Sequence, residues 1–458
     1  MSNSTALTFC GGVGSVTGAN FLLETSGKKI LIDCGMVQGS RFADEENRRS
    51  FLYDPSTIDF LLVTHAHIDH IGRIPRLVAG GFKGKIHSTP ETHALVSIML
   101  EDALKLIEDE CRQNGTLPLY ERRDVSATLA LWSDIPYHEN RQLVEGVSVY
   151  LKDAGHVLGS AMYEISFLDS DFETRKIVFT GDLGNSPTPL LKDTETITDA
   201  DYLVMESVYG DRNHEDRDSR RKHLKDVIVE TANRKGTLVI PTFSLEKTQT
   251  LLYEFHELEE QHAIPSLPVF LDSPLAIEIT KVYQSMKKDF NSAALSEGPN
   301  IFKFPRLKHV VHSEESKAIL HVPPPKIVIA GSGMSNGGRV LHHEINYLPG
   351  AQNTLLLVGY QAAGTLGRQL QDGVKEVHIN GQKVSVRAHI ETISGYSSHK
   401  DSDHLVEFVE TAAKSNPKIK VFAVMGEPKS ALFLVQRLRE YLGVEARHPE
   451  LGERVELI

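Results

Sequence analysis

Short apolar segments recur along the chain, and each of them ends in small or polar residues. Their length and their content of Val, Ile and Phe predict β-strands. In chain order they are KKILIDCG, DFLLVTH, VSVYLKDAGH, RKIVFTGDLG, DYLVMES, GTLVIPTF, PVFLDSP, PKIVIAGSG, NTLLLVGY and KVFAVMGEP. Amphipathic helical segments lie between many of them, for example TPETHALVSIMLEDALKLIEDECR and EKTQTLLYEFHELEEQ. This alternation predicts a layered α/β protein with its chemistry on the loops that follow strands.

The beginning of the chain has a different pattern, which predicts a β-hairpin. In LTFCGGVGSVTGANFLLETSGKKILIDCG, three apolar strands are joined first by a loop and then by a Ser-Gly turn. A charged segment, YGDRNHEDRDSRRKH, begins at Tyr209 and is the best candidate for a domain boundary. We therefore expect a first domain over residues 1–209 and a second α/β unit over residues 210–372.

Composition narrows the class of protein further. The chain has 458 residues, of which 40% are hydrophobic and 24% are charged, as in ordinary globular proteins of roughly two to four domains. The net charge of −12 argues against a broad, non-specific nucleic-acid footprint but not against a local groove. The three cysteines are far apart, which is typical of reduced thiols in a cytoplasmic protein. No signal peptide is expected, because the first residues have neither a basic segment nor a continuous apolar one. No membrane-spanning segment is expected, because no apolar run approaches roughly 18 residues.

Two glycine-rich segments require an explanation. Gly12, Gly14 and Gly18 follow a strand and precede Asp33 by the distance of a dinucleotide fingerprint. That fingerprint needs a helix directly after the glycines, because the helix N-terminus holds the pyrophosphate. Here the glycines lead into a hairpin, so we reject a dinucleotide site. The second segment, AGSGMSNGGRV, has N–H groups that would suit either an anion or a tight structural loop.

The segment LLVTHAHIDH carries the strongest functional signal. It brings His65, His67, Asp69 and His70 together directly after an apolar strand. Three imidazoles beside one carboxylate cannot satisfy one another at neutral pH, and the preceding strand argues against a solvated surface cluster. Imidazole and carboxylate suit Zn²⁺ or a similar ion. The first two histidines are placed to bind one ion, and the Asp69–His70 pair, after a turn, to reach a second.

Two ions need more ligands, and other strand ends supply candidates. His156 lies in KDAGHVLGSA and Asp182 in KIVFTGDLG, each after an apolar strand and beside glycine. Either residue alone would more often be a loop hydrogen-bonder, but the shared setting makes both candidate ligands of one centre. Asp33, in ILIDCG, is suited to orient a ligand imidazole or an amide without binding metal itself.

These motifs resemble those of the metallo-β-lactamase fold. HAHIDH, AGHVLGSA and FTGDLG match the superfamily, while the β-CASP branch is matched by VMESVYG, GTLVIPTFSLEKTQTLL, IAGSGMSNGGR, LLLVGYQAAGTLGRQL and ISGYSSHKD. That branch comprises nucleases of RNA processing and DNA repair, including the endonuclease subunit of the pre-mRNA cleavage and polyadenylation machinery. The resemblance implies an α/β protein: an αββα sandwich with a dinuclear metal site, and an inserted α/β β-CASP cap domain. Residues 373–458 would then complete the core.

The resemblance also implies a role for individual residues. The expected ligands of the first ion are His65, His67 and His156. Asp69 and His70 are expected to bind the second ion, and Asp182 is expected to bind both. Asp69 is also expected among the catalytic carboxylates. Glu206 matches the acidic residue of the family's motif A, and His399 matches the histidine of motif B.

One position departs from the family pattern. RNA-processing members usually have a histidine at the end of the strand that here reads FAVMGEP, where this chain has Met425. A thioether is a weak ligand for Zn²⁺, so the second ion is expected to keep only Asp69, His70 and Asp182 from the protein. Met425 then either lowers the affinity for this ion with catalysis retained, which we favour, or indicates DNA processing, since DNA-processing members have an apolar residue there.

Residues and resemblance together predict a metal-dependent phosphodiesterase that hydrolyses single-stranded RNA. Two zinc ions would activate a water for in-line attack on phosphorus. His399 would protonate the leaving 3′ oxygen, with Glu206 orienting it; otherwise His399 is a further metal ligand or a loop hydrogen-bonder. The residues expected to hold a substrate phosphate or to line the groove are Ser332, Gly333, Arg339, Lys247 and Arg368.

Three other functions stay open from sequence alone. They are a DNA-processing nuclease of the same branch, a small-molecule hydrolase of thioesters or lactams, and a nucleic-acid-binding scaffold with an impaired second metal site. A small-molecule hydrolase would not need the long segment from Tyr209 to Gly373, and a scaffold would be expected to lose several ligands. The motifs do not distinguish internal cutting from cutting at the 5′ end, and they allow a homodimer, since relatives often dimerise.

Overall fold

The apolar segments predicted from the sequence form the strands of the protein. The computed structural model describes residues 5–39, 42–214, 217–362 and 364–457. In chain order its strands are β1 (Thr5–Gly11), β2 (Asn20–Thr25), β3 (Lys28–Ile32), β4 (Phe60–Leu62), β5 (Lys85–Ser88), β6 (Trp132–Asp134), β7 (Asn140–Val144), β8 (Val147–Asp153), β9 (Ala161–Leu168), β10 (Thr174–Phe179), β11 (Tyr202–Glu206), β12 (Thr237–Pro241), β13 (Val269–Asp272), β14 (Leu307–His309), β15 (Lys326–Ala330), β16 (Thr354–Val358), β17 (Glu376–Ile379), β18 (Gln382–Ser385), β19 (His389–Ile393), β20 (Lys420–Val424), β21 (Glu445–Arg447) and β22 (Arg454–Leu457).

Helices form where apolar positions repeat with the helical period. They are α1 (Ala43–Arg48), α2 (Ile68–Ile71), α3 (Ile74–Ala79), α4 (Pro90–Asn114), α5 (Arg122–Ala130), α6 (Arg217–Asn233), α7 (Lys247–Glu260), α8 (Pro274–Ser285), α9 (Ser292–Ser296), α10 (Ser313–Ala318), α11 (Arg339–Tyr347), α12 (Leu366–Gln371), α13 (Ser402–Ser415) and α14 (Pro428–Arg437). The limits of α4 follow from its sequence, because Thr89 accepts the N–H of Thr92 at the N-terminus and Gly115 adopts a left-handed conformation at the C-terminus. Among the described residues, none of the helices has both the length and the apolar character needed to cross a membrane.

Unit 1 contains the described residues of 1–188, 192–213 and 399–458. It has two sheets, with strand orders β22-β1-β2-β3-β4-β5-β6 and β21-β20-β11-β10-β9-β8-β7. The core lies between them, where Phe21 of one sheet meets Phe179 of the other and Phe9 meets Phe422. Helices α13 and α14 pack on the outer face of the second sheet through a further apolar cluster, and α4 lies beside β6 of the first. The predicted αββα sandwich is confirmed.

The N-terminal segment has the predicted hairpin arrangement. Strands β1, β2 and β3 pair antiparallel, and Ser26 and Gly27 form the second turn with φ angles of 49° and 69°. In the described residues 5–39, the glycine segment that ends at Gly18 leads into β2 and not into a helix. The rejection of a dinucleotide site is therefore supported, since no helix N-terminus is available there for a pyrophosphate.

Unit 2 contains the described residues of 189–191 and 214–398. Its main sheet has the order β14-β13-β15-β12-β16-β19, and all its pairings are parallel. The loops after β12, β13 and β15 therefore lie at one edge of this sheet, where parallel α/β sheets present their loops.

One predicted boundary differs from the structure. Strand β19 pairs with β16, so residues 373–398, which we assigned to the last part of the core, lie in unit 2. The chain returns to unit 1 at His399 and not at residue 373. Strand β19 is an edge strand and is only partly buried, so it lacks the continuous apolar run that marks a central parallel strand in the sequence.

Candidate metal centre

The histidine-rich segment lies at the carboxyl end of β4. Strand β4 ends at Leu62, and the chain continues through His65 and His67 into the short helix α2, which carries Asp69 and His70. His65 and His70 are completely buried. His65 Nε2 lies 3.1 Å from His67 Nδ1. The segment is therefore not a solvated surface cluster.

Two distant segments converge on these histidines. The loops after β8 and β10 bring His156 and Asp182 to the same place. His156 Nε2 lies 3.2 Å from His67 Nδ1 and 3.5 Å from Asp182 Oδ2, which in turn lies 3.5 Å from His65 Nε2. Each of the four residues offers one ligand atom, and these atoms lie within 4.8 Å of one another. Three imidazoles and one carboxylate at this spacing form a donor set for one zinc-like ion.

The other oxygen of Asp182 faces a second pair of possible ligands, Asp69 and His70. Asp182 Oδ1 lies 3.4 Å from His70 Nε2, and Asp69 Oδ2 lies 4.0 Å from the same nitrogen. Asp182 Oδ1 and His70 Nε2 are both buried, and neither has a hydrogen-bond partner in the part of the chain that the structure describes. Because buried polar atoms are normally satisfied, this orphaned pair fits a cation bound by both atoms. The residues present therefore fit a second metal ion.

Burial controls the protonation of the three histidines next to Asp182 Oδ2, which are His65, His67 and His156. Desolvation and neighbouring imidazoles lower the pKa of His65, and they hold the pKa values of His67 and His156 well below the usual value. Neutral imidazole is the form that binds metal. Burial alone would raise the pKa of Asp182, but the adjacent imidazoles, His70 foremost, outweigh it and hold that pKa well below its usual range. The cluster thus offers lone pairs and a negative charge at neutral pH.

Asp33 fixes the orientation of His70. Asp33 Oδ2 lies 2.7 Å from His70 Nδ1. The carboxylate also accepts hydrogen bonds of 2.8 Å from both the backbone N–H and the hydroxyl of Thr64. This arrangement fixes the ring with Nε2 of His70 towards Asp182, as outer partners of ligand histidines commonly do. The sequence predicted the role of Asp33 but not that of Thr64. The position of Thr64 directly before His65 could have indicated a role in the same site.

His399 and Glu206 form a pair beside Asp182. His399 Nδ1 lies 3.1 Å and 3.2 Å from the two carboxylate oxygens of Glu206, and 3.9 Å from Asp182 Oδ2. Glu206 is completely buried and accepts the N–H of Leu183 at 2.6 Å. The Lys400 N–H donates to the Leu183 carbonyl at 2.9 Å, so the same backbone segment holds both members of the pair. Asp182, Glu206 and His399 are also close enough to offer three ligand atoms to one ion.

Comparison with known proteins identifies the family. The Metallo-beta-lactamase superfamily matches residues 16–241, the Beta-Casp domain matches residues 248–370, and the Zn-dependent metallo-hydrolase RNA specificity domain matches residues 383–449. Ribonuclease TTHA0252 of Thermus thermophilus is 35% identical over 448 residues, which cover 97% of this chain and 98% of the relative. The chain belongs to the β-CASP branch of the metallo-β-lactamase superfamily. The predicted family is confirmed, and it is a family of hydrolases.

Further relatives of this β-CASP protein are archaeal. Transcription termination factor FttA of Methanosarcina mazei is 31% identical, over 99% of this chain and 71% of the relative. The factor of the same name from Thermococcus kodakarensis is 29% identical, over 98% of this chain and 71% of the relative. A crystal structure of a protein of unknown function from Enterococcus faecalis V583 shares the fold, with a TM-score of 0.56 and 14% identity over 99% of this chain and 100% of the other.

Met425, the departure from the β-CASP pattern, lies close to the second group of donors. It is buried in the core between the two sheets, and its N–H donates to the Gly12 carbonyl at 2.7 Å. With His70 and Glu206 it lines a narrow cavity of about 10 Å³, roughly the space of one water. Its φ of 47° is rare for methionine and more often adopted by Asn, Asp or His. The position thus suits a histidine, although the thioether adds no ligand for zinc.

Met425→His is expected to slow the loss of the more weakly bound ion during dialysis. The substitution adds an imidazole beside His70 at a backbone conformation that histidine tolerates. Elemental analysis after graded dialysis should find about two ions per chain in this variant, where the unaltered chain falls towards one. Met425→Leu keeps an apolar side chain of similar size and serves as the control. Equal metal retention in the two variants would refute this placement of Met425.

The expected substrate-binding residues all lie in unit 2. Lys247, at the start of α7, donates to the Ser398 hydroxyl at 3.0 Å, and burial lowers its pKa to about 7. Ser332 and Gly333 lie in the loop after β15, where a Cβ at Gly333 would come within 2.7 Å of the Phe243 ring. This close approach is a structural reason for glycine there. A role of these three residues in holding phosphate stays a prediction.

Arg339 binds a carboxylate and two backbone carbonyls of unit 2. Its guanidinium donates to Asp272 Oδ1 at 2.6 Å and to the carbonyls of Val310 and Val311 at 3.1 Å and 2.6 Å. These contacts arise because β13, which ends at Asp272, lies beside β15, whose loop leads into α11. These bonds use three of the five guanidinium N–H groups and give Arg339 a structural role in unit 2, while a contact with phosphate through the remaining N–H groups stays a prediction. Arg368, the other arginine, is paired with Asp372 along α12.

Arg339→Met is expected to destabilise unit 2 by about 3 kcal/mol, because it removes one partner of a buried ion pair. Asp272 is completely buried, and hydrogen bonds from His343, Ser316 and Arg339 together hold its pKa below the usual value against the effect of burial. Denaturant unfolding measures the loss. Arg368→Met is the matched control, because its ion pair is exposed and its removal should change stability by less than about 0.5 kcal/mol. Equal stability of the two variants would contradict the structural role of Arg339.

Proposed function

We propose that this protein is a metal-dependent phosphodiesterase that hydrolyses single-stranded RNA. The observation that carries the proposal is the convergence of His65, His67, His156 and Asp182 within 4.8 Å of one another in a β-CASP chain. The end-to-end likeness to a ribonuclease and the match to an RNA specificity domain support RNA as the substrate. Scaffold function is disfavoured, because a chain without catalysis has no need to keep this donor set together.

Two zinc ions are proposed, held as the donor groups suggest. His65, His67 and His156 would hold the first ion, Asp69 and His70 the second, and Asp182 both, with one oxygen towards each group. Such ions, when bound, supply Lewis acidity and lower the pKa of water towards neutrality. The residues around the first ion act earlier, by holding His65, His67 and His156 neutral and Asp182 ionised. His70 differs, because Asp182 and Asp33 outweigh the effect of burial and hold its pKa well above the usual value, so binding of the second ion would release a proton from His70.

The His399–Glu206 pair is proposed to deliver the proton to the leaving 3′ oxygen. Glu206 faces His399 Nδ1 and fixes the ring plane, which leaves Nε2 as the atom that donates. The buried carboxylate is itself held by the Leu183 N–H, so the pair has a defined geometry before substrate arrives. General acids of this kind commonly contribute about 10²- to 10⁴-fold to a rate.

Cleavage assays with and without chelator test the proposal. Labelled single-stranded RNA and DNA of the same sequence are incubated with purified protein, with protein stripped of metal, and with protein reloaded with Zn²⁺. RNA cleavage that is lost with the chelator and restored by Zn²⁺ is the expected result. His93→Gln is the control, because it removes a partly exposed histidine that is paired with Asp134 and lies outside the candidate metal ligands.

Other outcomes point to the alternative functions. Preferential DNA cleavage would favour the DNA-processing interpretation of Met425, and RNA binding without turnover under any metal would favour a scaffold. Cleavage that resists chelation would overturn the proposal. A cytoplasmic location and a homodimer stay predictions from sequence, testable by fractionation and by light scattering of the purified chain.

A further inference from the structure

A polar cavity lies on the outer face of strands β7 to β10 in unit 1, away from the metal ligands. Side chains alternate between the two faces of a strand, and those that point inwards here, such as Val149 and Ile165, belong to the core between the sheets. Those that point outwards line a cavity of about 340 Å³, and all its lining residues come from the strands. The six that carry the argument are Ser148, Tyr150, Lys152, Glu164, Ser166 and Lys176.

A buried carboxylate fixes two ammonium groups in this cavity. Lys152 Nζ lies 3.0 Å from Glu164 Oε1, and Lys176 Nζ lies 3.4 Å from Glu164 Oε2, while Glu164 is only 6% exposed. Each lysine also donates to one backbone carbonyl, of Thr196 at 2.8 Å and of Thr198 at 3.1 Å. An ammonium group has three N–H donors, so each lysine keeps at least one for a ligand beyond its carbonyl and its carboxylate neighbour. Two lysines against one carboxylate leave one positive charge on a chain of net charge −12.

Three hydroxyl groups border the same cavity without protein partners. Ser148 and Ser166 face each other across β8 and β9, and Tyr150 is opposite Glu164 in the same ladder. Over the described ranges, none of these three hydroxyls makes a hydrogen bond to the protein. The Tyr150 ring is partly exposed and lies 6.2 Å, centroid to centroid, from the ring of His138. The cavity thus combines fixed cations, free hydroxyls and an aromatic face.

We propose that this face is a second binding site for the RNA substrate, in which Lys152 and Lys176 contact phosphates and Tyr150 stacks on a base. The proposal rests on the proposed ribonuclease function. RNA matches each feature, because phosphates accept from the spare N–H groups, 2′-hydroxyls pair with the serines, and bases stack on aromatic rings. An acidic peptide would satisfy only the lysines. The volume also falls in the range of sites for small polar ligands such as one nucleotide.

The site is placed to bind the strand that occupies the metal centre. Lys152 precedes His156 by four residues on β8 and its loop, and Lys176 precedes Asp182 by six residues on β10 and its loop. The chain can span at most about 14 Å and about 21 Å over these separations. A strand cut at the metal centre therefore needs only a few further nucleotides to reach the cavity, so affinity should depend on RNA length.

Binding of phosphorothioate RNA to the metal-loaded protein tests the proposal, since such RNA keeps its charges while resisting cleavage. Affinity is measured by fluorescence anisotropy over a range of salt concentrations. The double variant Lys152→Ala/Lys176→Ala is expected to bind more weakly, and the slope of log Kd against log salt should fall by about 1.4 for two lost phosphate contacts. Lys414→Ala/Lys418→Ala, which removes two exposed lysines elsewhere in unit 1, is the matched control and should behave as the unaltered chain.

A second variant keeps the test decisive if the double variant folds poorly with Glu164 left unpaired. Ser166→Asp adds a negative charge to the cavity without breaking either ion pair, and it should also weaken binding of long RNA while cleavage of a short RNA is unchanged. An unaltered salt slope in both cavity variants, or an equal loss in the control, would overturn the proposal. So would binding of an acidic peptide at the cavity with RNA affinity unaffected. Failure of the unaltered chain to cleave any RNA would count against the proposed function alone, because this comparison measures binding.

Discussion

Asp182→Asn is expected to cause the largest loss of activity of any single substitution at the metal centre. One oxygen of Asp182 lies 3.5 Å from both His65 and His156, and the other lies 3.4 Å from His70. The substitution removes a negative charge that both groups of donors share, and an amide is a much poorer ligand for zinc. We expect kcat/KM for RNA cleavage to fall by about 10³-fold or more, which is about 4 kcal/mol of transition-state stabilisation.

The metal content of the same variant separates a loss of ligand from a loss of fold. Asp182→Asn should purify with less than the full complement of metal and should not regain it on reloading with Zn²⁺, while its far-ultraviolet circular dichroism is unchanged. Asp33→Asn provides a graded comparison, because Asp33 supports His70 from behind, and such partners change affinity or activity by about 10- to 100-fold. Asp134→Asn is the surface control. Equal activity of the Asp182 and Asp134 variants would exclude the proposed centre.

The convergence of the candidate metal ligands was predictable from sequence because these residues are chemically costly anywhere else. His65, His67 and His70 cannot be satisfied by one another in a core, so their spacing alone indicates a cation. His156 and Asp182 were selected because each follows an apolar strand and lies beside glycine. The fold brings the loops after these strands to the same place, so the two residues lie close to the histidines. Thr64 was missed, because a hydroxyl in a strand is an ordinary residue until Asp33 is known to face it.

The roles of residues in unit 2 were much less predictable. Arg339 follows a glycine-rich loop, and the local sequence favoured an anion site there. Its actual partner, Asp272, is distant in sequence and becomes a neighbour only because β13 and β15 are adjacent in the sheet. Strand order of this kind depends on the packing of the whole domain, and local pattern does not encode it. The same limit explains why the partly polar edge strand β19 was assigned to the wrong part of the chain.

His399→Gln is the substitution expected to have the next largest effect, and it distinguishes a general acid from a metal ligand. If His399 donates the proton, kcat should fall by about 10²- to 10⁴-fold while the metal content stays full. The rate of the unaltered enzyme should decline at high pH, where the acid loses its proton, and this decline should be absent in the variant. His404→Gln, at a half-exposed histidine paired with Asp401 in the same segment, is the control.

Glu206→Gln then tests how His399 is held. The amide keeps the shape of the carboxylate but removes the negative charge that lies 3.1 Å from His399 Nδ1. An opposite charge favours the protonated imidazole, so its loss should move the decline in rate to lower pH and reduce kcat less than His399→Gln does. A combined variant should be no slower than His399→Gln alone, because Glu206 acts through His399. If His399→Gln instead loses metal and Glu206→Gln leaves the pH profile unmoved, His399 is a ligand, and the proton must come from another group.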